Sequence, residues 1–250
     1  MEACEYETLA AYETWYWWYR AQREALVDAV RHLGLPSGAR VLDAGCGTGR
    51  NVLELTRTLG LEVYGLDNSV HAAANWNGAG PRRRCMGSVN ELPYADGTFD
   101  VVTSVDVLPS QQVRPQASLN EMARVTRCGG YVVVLVPAYQ WLLSRHDRAV
   151  HCVQRFSRPA IRSMAAAADL AIERLTHLFP VFFPVIATLR LAHKRAWRNG
   201  SAPVRSDLSP IPEWLNGVLL LIARAEHKLT SRLTVPFGTT ILAVGRKKCL

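Results

Sequence analysis

From position 40 onward, short apolar runs alternate with amphipathic stretches at a spacing that predicts an α/β protein. A strand over 40–44 is followed by a helix over 48–59, a strand over 62–66, a helix near 69–76 and a short strand near 83–86. Asp100-Val101-Val102-Thr103-Ser104-Val105 reads as a fourth strand. A helix over 115–126 then ends at Arg127-Cys128-Gly129-Gly130, a turn into a strand over 131–136. Such near-continuous apolar strands belong to a parallel sheet covered on both faces. A helix over 159–168 and strands over 172–178 and 239–245 complete the pattern. Between those two strands lie about sixty residues, more than a compact domain leaves without structure of its own. They hold an apolar run over 178–189 and an apolar helix near 213–230, which together predict a helical insertion at about 179–236. Ahead of the sheet, residues 5–33 have helical spacing, but the five consecutive aromatics at 15–19 cannot all face one core. The organisation expected is an aromatic helical cap over 1–38 and one domain over 39–250 that carries the insertion.

The end of the first strand carries the chemistry. In Val41-Leu42-Asp43-Ala44-Gly45-Cys46-Gly47-Thr48-Gly49, three alternate glycines follow an acid. Glycine accepts positive φ and lets backbone approach a ligand, and successive N–H groups in such a turn favour an anion. Asp43 would repel a pyrophosphate, but suits a ligand that carries an ammonium beside its carboxylate, as S-adenosylmethionine (SAM) does. A dinucleotide fingerprint would need its third glycine at position 50, which is Arg50. Leu61-Glu62-Val63-Tyr64-Gly65-Leu66-Asp67 ends in a second acid about twenty residues past the loop, placed to accept hydrogen bonds from ribose hydroxyls.

This loop resembles the cofactor loop of the class I SAM-dependent methyltransferases, and the resemblance runs on. The stretch from Gly87 through Leu92-Pro93-Tyr94 to Phe99-Asp100 is similar to the family's Gly-Asp-Ala-x-x-Leu-Pro-Phe-x-x-x-x-Phe-Asp. The stretch Glu121-Met122-Ala123-Arg124-Val125 to Gly129-Gly130 is similar to its Glu-x-x-Arg-Val-Leu-Lys-Pro-Gly-Gly. The aromatic N-terminal helix, Ser144-Arg145-His146-Asp147 and Pro236-Phe237-Gly238-Thr239 look like one bacterial subgroup. The resemblance implies a Rossmann-like, doubly wound, seven-stranded sheet in the order 3-2-1-4-5-7-6 with strand 7 antiparallel. It also implies a methyl transfer from SAM. By position, Asp43, Gly45, Cys46, Gly47 and Gly49 would hold the methionine end. Asp67 would take the ribose, and Asn68, Ser69, Ser88, Val89 and Ser104 would flank the rest. Ser88 replaces the acid that commonly receives the adenine amino group, and Pro109-Ser110 replaces a Glu-His pair after strand four.

Transfer from a sulfonium needs placement above all, and a base only where the acceptor must lose a proton. His146 and then His151 are the candidates for that base, on the loop after strand five, with Tyr139 and Asp147 as orienting groups. Each reads equally as a hydrogen-bonded structural residue. Arg155 suits an anionic substrate group. Trp15, Trp18 and Tyr19 would form a lid whose π faces suit a flat or cationic acceptor, or would simply pack.

Composition narrows this further. The formal charge of +8 comes mostly from arginine, in short scattered patches, as in high-GC bacterial chains. Such patches suit anionic partners or a membrane surface, and form no basic stripe interleaved with aromatics for nucleic acid. Six cysteines without CxxC pairing predict reduced thiols in a cytoplasmic protein and no zinc site. The acidic N-terminus is not a signal peptide, and the apolar run at 178–189, broken by Pro180 and Pro184, falls short of the roughly twenty residues a spanning helix needs. The acceptor expected is a small or lipid-like molecule, bound by a monomer or homodimer, with peripheral membrane contact open. Two other classes stay open. One is a SAM-binding partner subunit without transfer activity. The other is a nucleic-acid methyltransferase, though the chain lacks an Asn/Asp-Pro-Pro-Tyr after strand four.

Overall fold

The computed structural model describes residues 10–76, 83–144, 147, 149–197 and 211–249. Its centre is a seven-stranded sheet: β1 (Arg40–Ala44), β2 (Glu62–Asp67), β3 (Arg84–Met86), β4 (Phe99–Val105), β5 (Thr126–Pro137), β6 (Leu170–Leu178) and β7 (Thr240–Lys247). The spatial order is 3-2-1-4-5-7-6, and β7 runs antiparallel to both of its neighbours. Successive side chains of a strand point to opposite faces, so each apolar pair feeds two layers. Leu42, Val102 and Val134 enter one core with Leu119 and Met122. Their neighbours Val41, Val101 and Val133 enter the other, with Leu26, Val30 and Leu55.

The helices follow the strands: α1 (Trp17–Arg31), α2 (Arg50–Leu59), α3 (Val70–Ala74), α4 (Pro115–Val125), α5 (Arg158–Ala167), α6 (Phe183–Trp197) and α7 (Glu213–Thr230). The insertion before the last strand is helical as expected. On α7 the residues facing inward are Asn216, Leu220, Ala223 and Glu226. Trp214, Leu221 and Leu229 stay exposed on its outer side. No helix among the described residues is long and apolar enough to cross a membrane.

Three expectations are corrected. The N-terminal helix does not run unbroken over 5–33. Within the described residues it breaks near 13–16, where Tyr16 is extended (φ −69°, ψ 130°), and α1 starts at Trp17. The Asn216 side chain accepts the Trp17 N–H at 2.8 Å, which supplies the bond a preceding helical turn would have made. Arg127-Cys128-Gly129-Gly130 is not a turn ahead of the fifth strand but part of it. Phe99 pairs with Thr126 and Val101 with Tyr131, so the excess residues bulge, with Gly129 at φ 70°. Finally, the thiols are not all free. Antiparallel pairing of Tyr131 with Arg246 brings Cys128 and Cys249 together, Cα atoms 5.1 Å apart, in a disulfide.

Candidate active site

Ligands of open α/β sheets bind beyond the carboxyl ends of the parallel strands. Here β1, β2 and β4 end side by side, and the glycine loop turns over them. The Gly45 and Cys46 N–H groups donate to Leu66 O at 2.7 and 2.9 Å, which folds the loop back onto the end of β2. Gly47 N–H donates to Asp67 Oδ2 at 2.9 Å, and Ser69 N–H to Asp67 Oδ1 at 3.0 Å. Trp76, just past α3, donates its indole N–H to Gly47 O at 2.8 Å. Gly45 lies at φ 84°, and a Cβ there would fall 2.3 Å from a Val107 methyl, so only glycine fits between the loop and the segment after β4.

Asp43 stands below this cradle, 1% exposed. Thr103 donates to its Oδ1 at 2.9 Å, whereas among the described residues Oδ2 is buried with no hydrogen-bond partner. Burial pushes its carboxyl up to about 7, with the side chains of Thr103 and, less strongly, Asn51 opposing and the nearby Asp67 adding to the rise. An orphaned buried carboxylate oxygen beside a glycine cradle calls for a cationic donor, and the ammonium of SAM is one. Burial also holds the Cys46 thiol well above its ordinary range, which suits packing and not nucleophilic attack.

A cavity of about 760 Å³ opens from the cradle. Of the cofactor residues expected from sequence, Gly45, Cys46, Gly47, Asp67, Asn68, Ser88 and Val89 line it. Gly49 caps α2 in the left-handed region, and Ser69 caps α3 by accepting the Ala72 N–H. Ser104 donates to Ala44 O at 3.1 Å, holding β4 to β1 from within the sheet. The sequence reading had no signal for four further lining residues, Glu13, Thr48, Arg23 and Arg50. Thr48 donates to the Glu13 carboxylate at 2.7 Å and Arg23 to Glu13 O at 2.7 Å, so the segment before α1 folds over the glycine loop.

The rest of the lining sets aromatic and aliphatic side chains beside a small charged cluster. Trp17, Trp18 and Tyr19 line it from the N-terminal side, and Ile186 and Leu189 from α6. Trp18 and Tyr19 thus stand where a lid was expected. Trp15 is absent from the lining; its indole donates to Ala11 O at 2.9 Å. Arg155 and Asp147 reach the cavity together. Asp147 is held by Arg155 at 2.5 Å and by Arg190 of α6 at 2.9 Å, and these guanidiniums, outweighing its burial, keep its carboxyl below the usual range. Of the proposed bases, His146 lies outside the described residues. His151 and Tyr139 are described but do not line the cavity. Tyr139, at φ 61°, stacks on His177 with ring centroids 5.3 Å apart, on the side of β6. A carboxylate not singled out from sequence does line it: Asp106, one residue past β4.

Residues 42–134 match the family described as the methyltransferase domain. A demethylmenaquinone methyltransferase of Beutenbergia cavernae is 41% identical over 121 residues, which make up 46% of this chain and 46% of that protein. The sterol 24-C-methyltransferase of Schizosaccharomyces pombe is 30% identical over 122 residues, 45% of this chain and 30% of that protein. The chain thus spans about half the length of the first of these relatives, or less. A solved geranyl diphosphate methyltransferase, in complex with geranyl diphosphate and sinefungin, superposes with a TM-score of 0.61 at 20% identity, covering 92% of this chain and 79% of its own. That likeness bears on the fold. Strand order, glycine cradle, the two strand-end acids and the matched stretch agree: residues 42–134 match a methyltransferase domain, on a sheet with the strand order 3-2-1-4-5-7-6, and in these features the chain is similar to the class I SAM-dependent methyltransferases.

Proposed function

We propose that the protein transfers a methyl group from SAM to an apolar small-molecule or lipid-like acceptor. The observation that carries this is the single cavity in which the glycine cradle and an apolar chamber meet. At one end Asp43 would hold the ammonium and Asp67 the ribose, with Ser88 and Val89 beside the base. At the other, Trp17, Trp18, Ile186 and Leu189 would exclude water from the acceptor and orient it. SAM supplies a methyl group already activated by its sulfonium, so alignment of the acceptor is the main demand on these residues. The names of the two curated relatives, a demethylmenaquinone methyltransferase and a sterol 24-C-methyltransferase, support an acceptor of this apolar kind.

Calorimetric titration of SAM and S-adenosylhomocysteine into wild type and Asp67→Ala tests the cofactor end. Micromolar binding, weakened at least tenfold in the variant, is the expected result. Folded wild-type protein that binds neither compound would overturn the reading.

A further inference from the structure

Asp106 is placed by the fold for a task that nothing in the cofactor site requires. It follows β4 directly, and its neighbour Val107 packs against the Cα of Gly45, so position 106 stands beside the cofactor loop. Its backbone is left-handed (φ 55°), a conformation aspartate tolerates better than most residues, and its N–H donates to Leu135 O at 2.9 Å. The side chain thereby leaves the sheet and enters the cavity. There Gln22, on the inner face of α1, donates to its Oδ2 at 3.0 Å. Among the described residues Oδ1 has no partner.

The surroundings argue for the kind of molecule it meets. Arg155 and Asp147, from the segment between β5 and α5, face it as well, and Arg190 of α6 is bonded to Asp147. Two guanidiniums and one carboxylate leave one positive charge, which Asp106 balances. Among the described residues these charges balance, and the indole and aliphatic walls add none for a cationic acceptor. It does offer one oxygen that can accept a proton.

We propose that Asp106 is the base of the acceptor chamber, and that the acceptor is a neutral, largely apolar molecule whose reacting hydroxyl it deprotonates. The inference rests on the methyl-transfer reading above. The acceptor oxygen forms the new bond to the methyl carbon, and the S–CH₃ bond breaks with its electron pair going to sulfur. The O–H proton passes to Asp106. Although solvent reaches its surface from the cavity, crowding by the walls raises the Asp106 carboxyl to about 6; Gln22 and Arg155 oppose that rise, and Asp147 adds to it. The group is therefore ionised at neutral pH and still basic enough to take a proton.

The test uses the full chain and a probe with the stated chemistry, 4-octylphenol. Its control is 4-octyltoluene, in which a methyl group replaces the hydroxyl. Wild type and Asp106→Asn, each saturated with S-adenosylhomocysteine, are titrated with both by calorimetry. Wild type should prefer the phenol by about tenfold at pH 7.5 and lose that preference below about pH 6, and Asp106→Asn should lose most of it at both, because a charge-assisted hydrogen bond is about twice as strong as a neutral one. With SAM, methylation of 4-octylphenol should fall on the order of a hundredfold or more in Asp106→Asn. Affinity for S-adenosylhomocysteine should stay unchanged. Failure of wild type to bind either cofactor compound overturns the parent reading and this inference with it. Cofactor binding without preference for the phenol, or an Asp106→Asn variant indistinguishable from wild type, overturns the role of Asp106 alone.

Discussion

Asp43 is a buried acid that costs the folded chain stability at neutral pH. Its carboxyl sits at about 7 in the folded chain against an ordinary value of 3.8, so the folded state holds the proton more tightly than the unfolded state does. The stability this contributes is complete below about pH 4 and is lost as pH rises through 7. Asp43→Asn keeps an oxygen for the Thr103 hydroxyl and removes the buried charge. The cofactor-free variant should therefore melt higher than wild type at pH 8 and alongside it at pH 4, as thermal unfolding at the two values would show. In the proposed cofactor site the same change would turn an amide toward the ammonium. Calorimetry should find SAM affinity at pH 8 reduced on the order of tenfold to a hundredfold, the worth of a hydrogen bond to a charged group. Loss of stability without loss of affinity would contradict the assignment.

At the scale of elements, α7 holds the walls of the cavity without lining it. Its inner face carries two buried polar side chains among apolar ones. Asn216 accepts the Trp17 N–H at 2.8 Å and donates to Trp15 O at 2.9 Å, fixing the entry of α1. Glu226 accepts the Val181 N–H at 3.1 Å, fixing the chain ahead of α6. The two walls that meet over the cavity are thus clamped to one helix, by residues far from them in sequence. Asn216→Ala leaves the Trp17 N–H buried without an acceptor and should cost about 1–3 kcal/mol in urea unfolding. Hydrogen exchange should quicken at residues 15–18 and stay unchanged in β1 and β4. Uniform quickening across the sheet would mean that Asn216 supports the fold at large and not this wall.

The whole molecule closes at its last strand. β7 inserts antiparallel between β5 and β6, and the disulfide from Cys128 to Cys249 ties the start of β5 to the residues beyond β7. Among the described residues Cys46, Cys85 and Cys152 are free and Cys128 and Cys249 are paired. Protein prepared without reductant, denatured and alkylated, should show Cys46, Cys85 and Cys152 modified by mass spectrometry, with Cys128 and Cys249 modified only after reduction. Modification of Cys128 and Cys249 before reduction would mean the pair is not oxidised under those conditions. Cofactor affinity should be the same in both forms, since neither cysteine lines the cavity.

The order of the elements and the glycine-loop end of the cavity were legible in the chain, because both are written locally. Strand alternation, the Pro–Gly breaks and the spacing from Asp43 to Asp67 depend on residues within a few turns of one another, and the helix at 213–230 and the last strand came from the same kind of pattern. Element edges shifted where a distant side chain intervened, as Asn216 does at the start of α1. The rest of the cavity was legible only in part: Trp18, Tyr19 and Arg155 line it as the chain suggested, but the pairs that join its walls were not readable. Gln22 meets Asp106 across 84 positions, Arg190 meets Asp147 across 43, and Trp17 meets Asn216 across 199. A lone acid after a strand reads as a turn residue, and Gln22 and Arg23, buried on α1, carry no local sign of the partners they meet. Backbone periodicity records which face of an element is buried. Which buried polar groups then find one another is decided only when the layers pack, since a buried donor or acceptor must be satisfied by whatever the fold brings beside it.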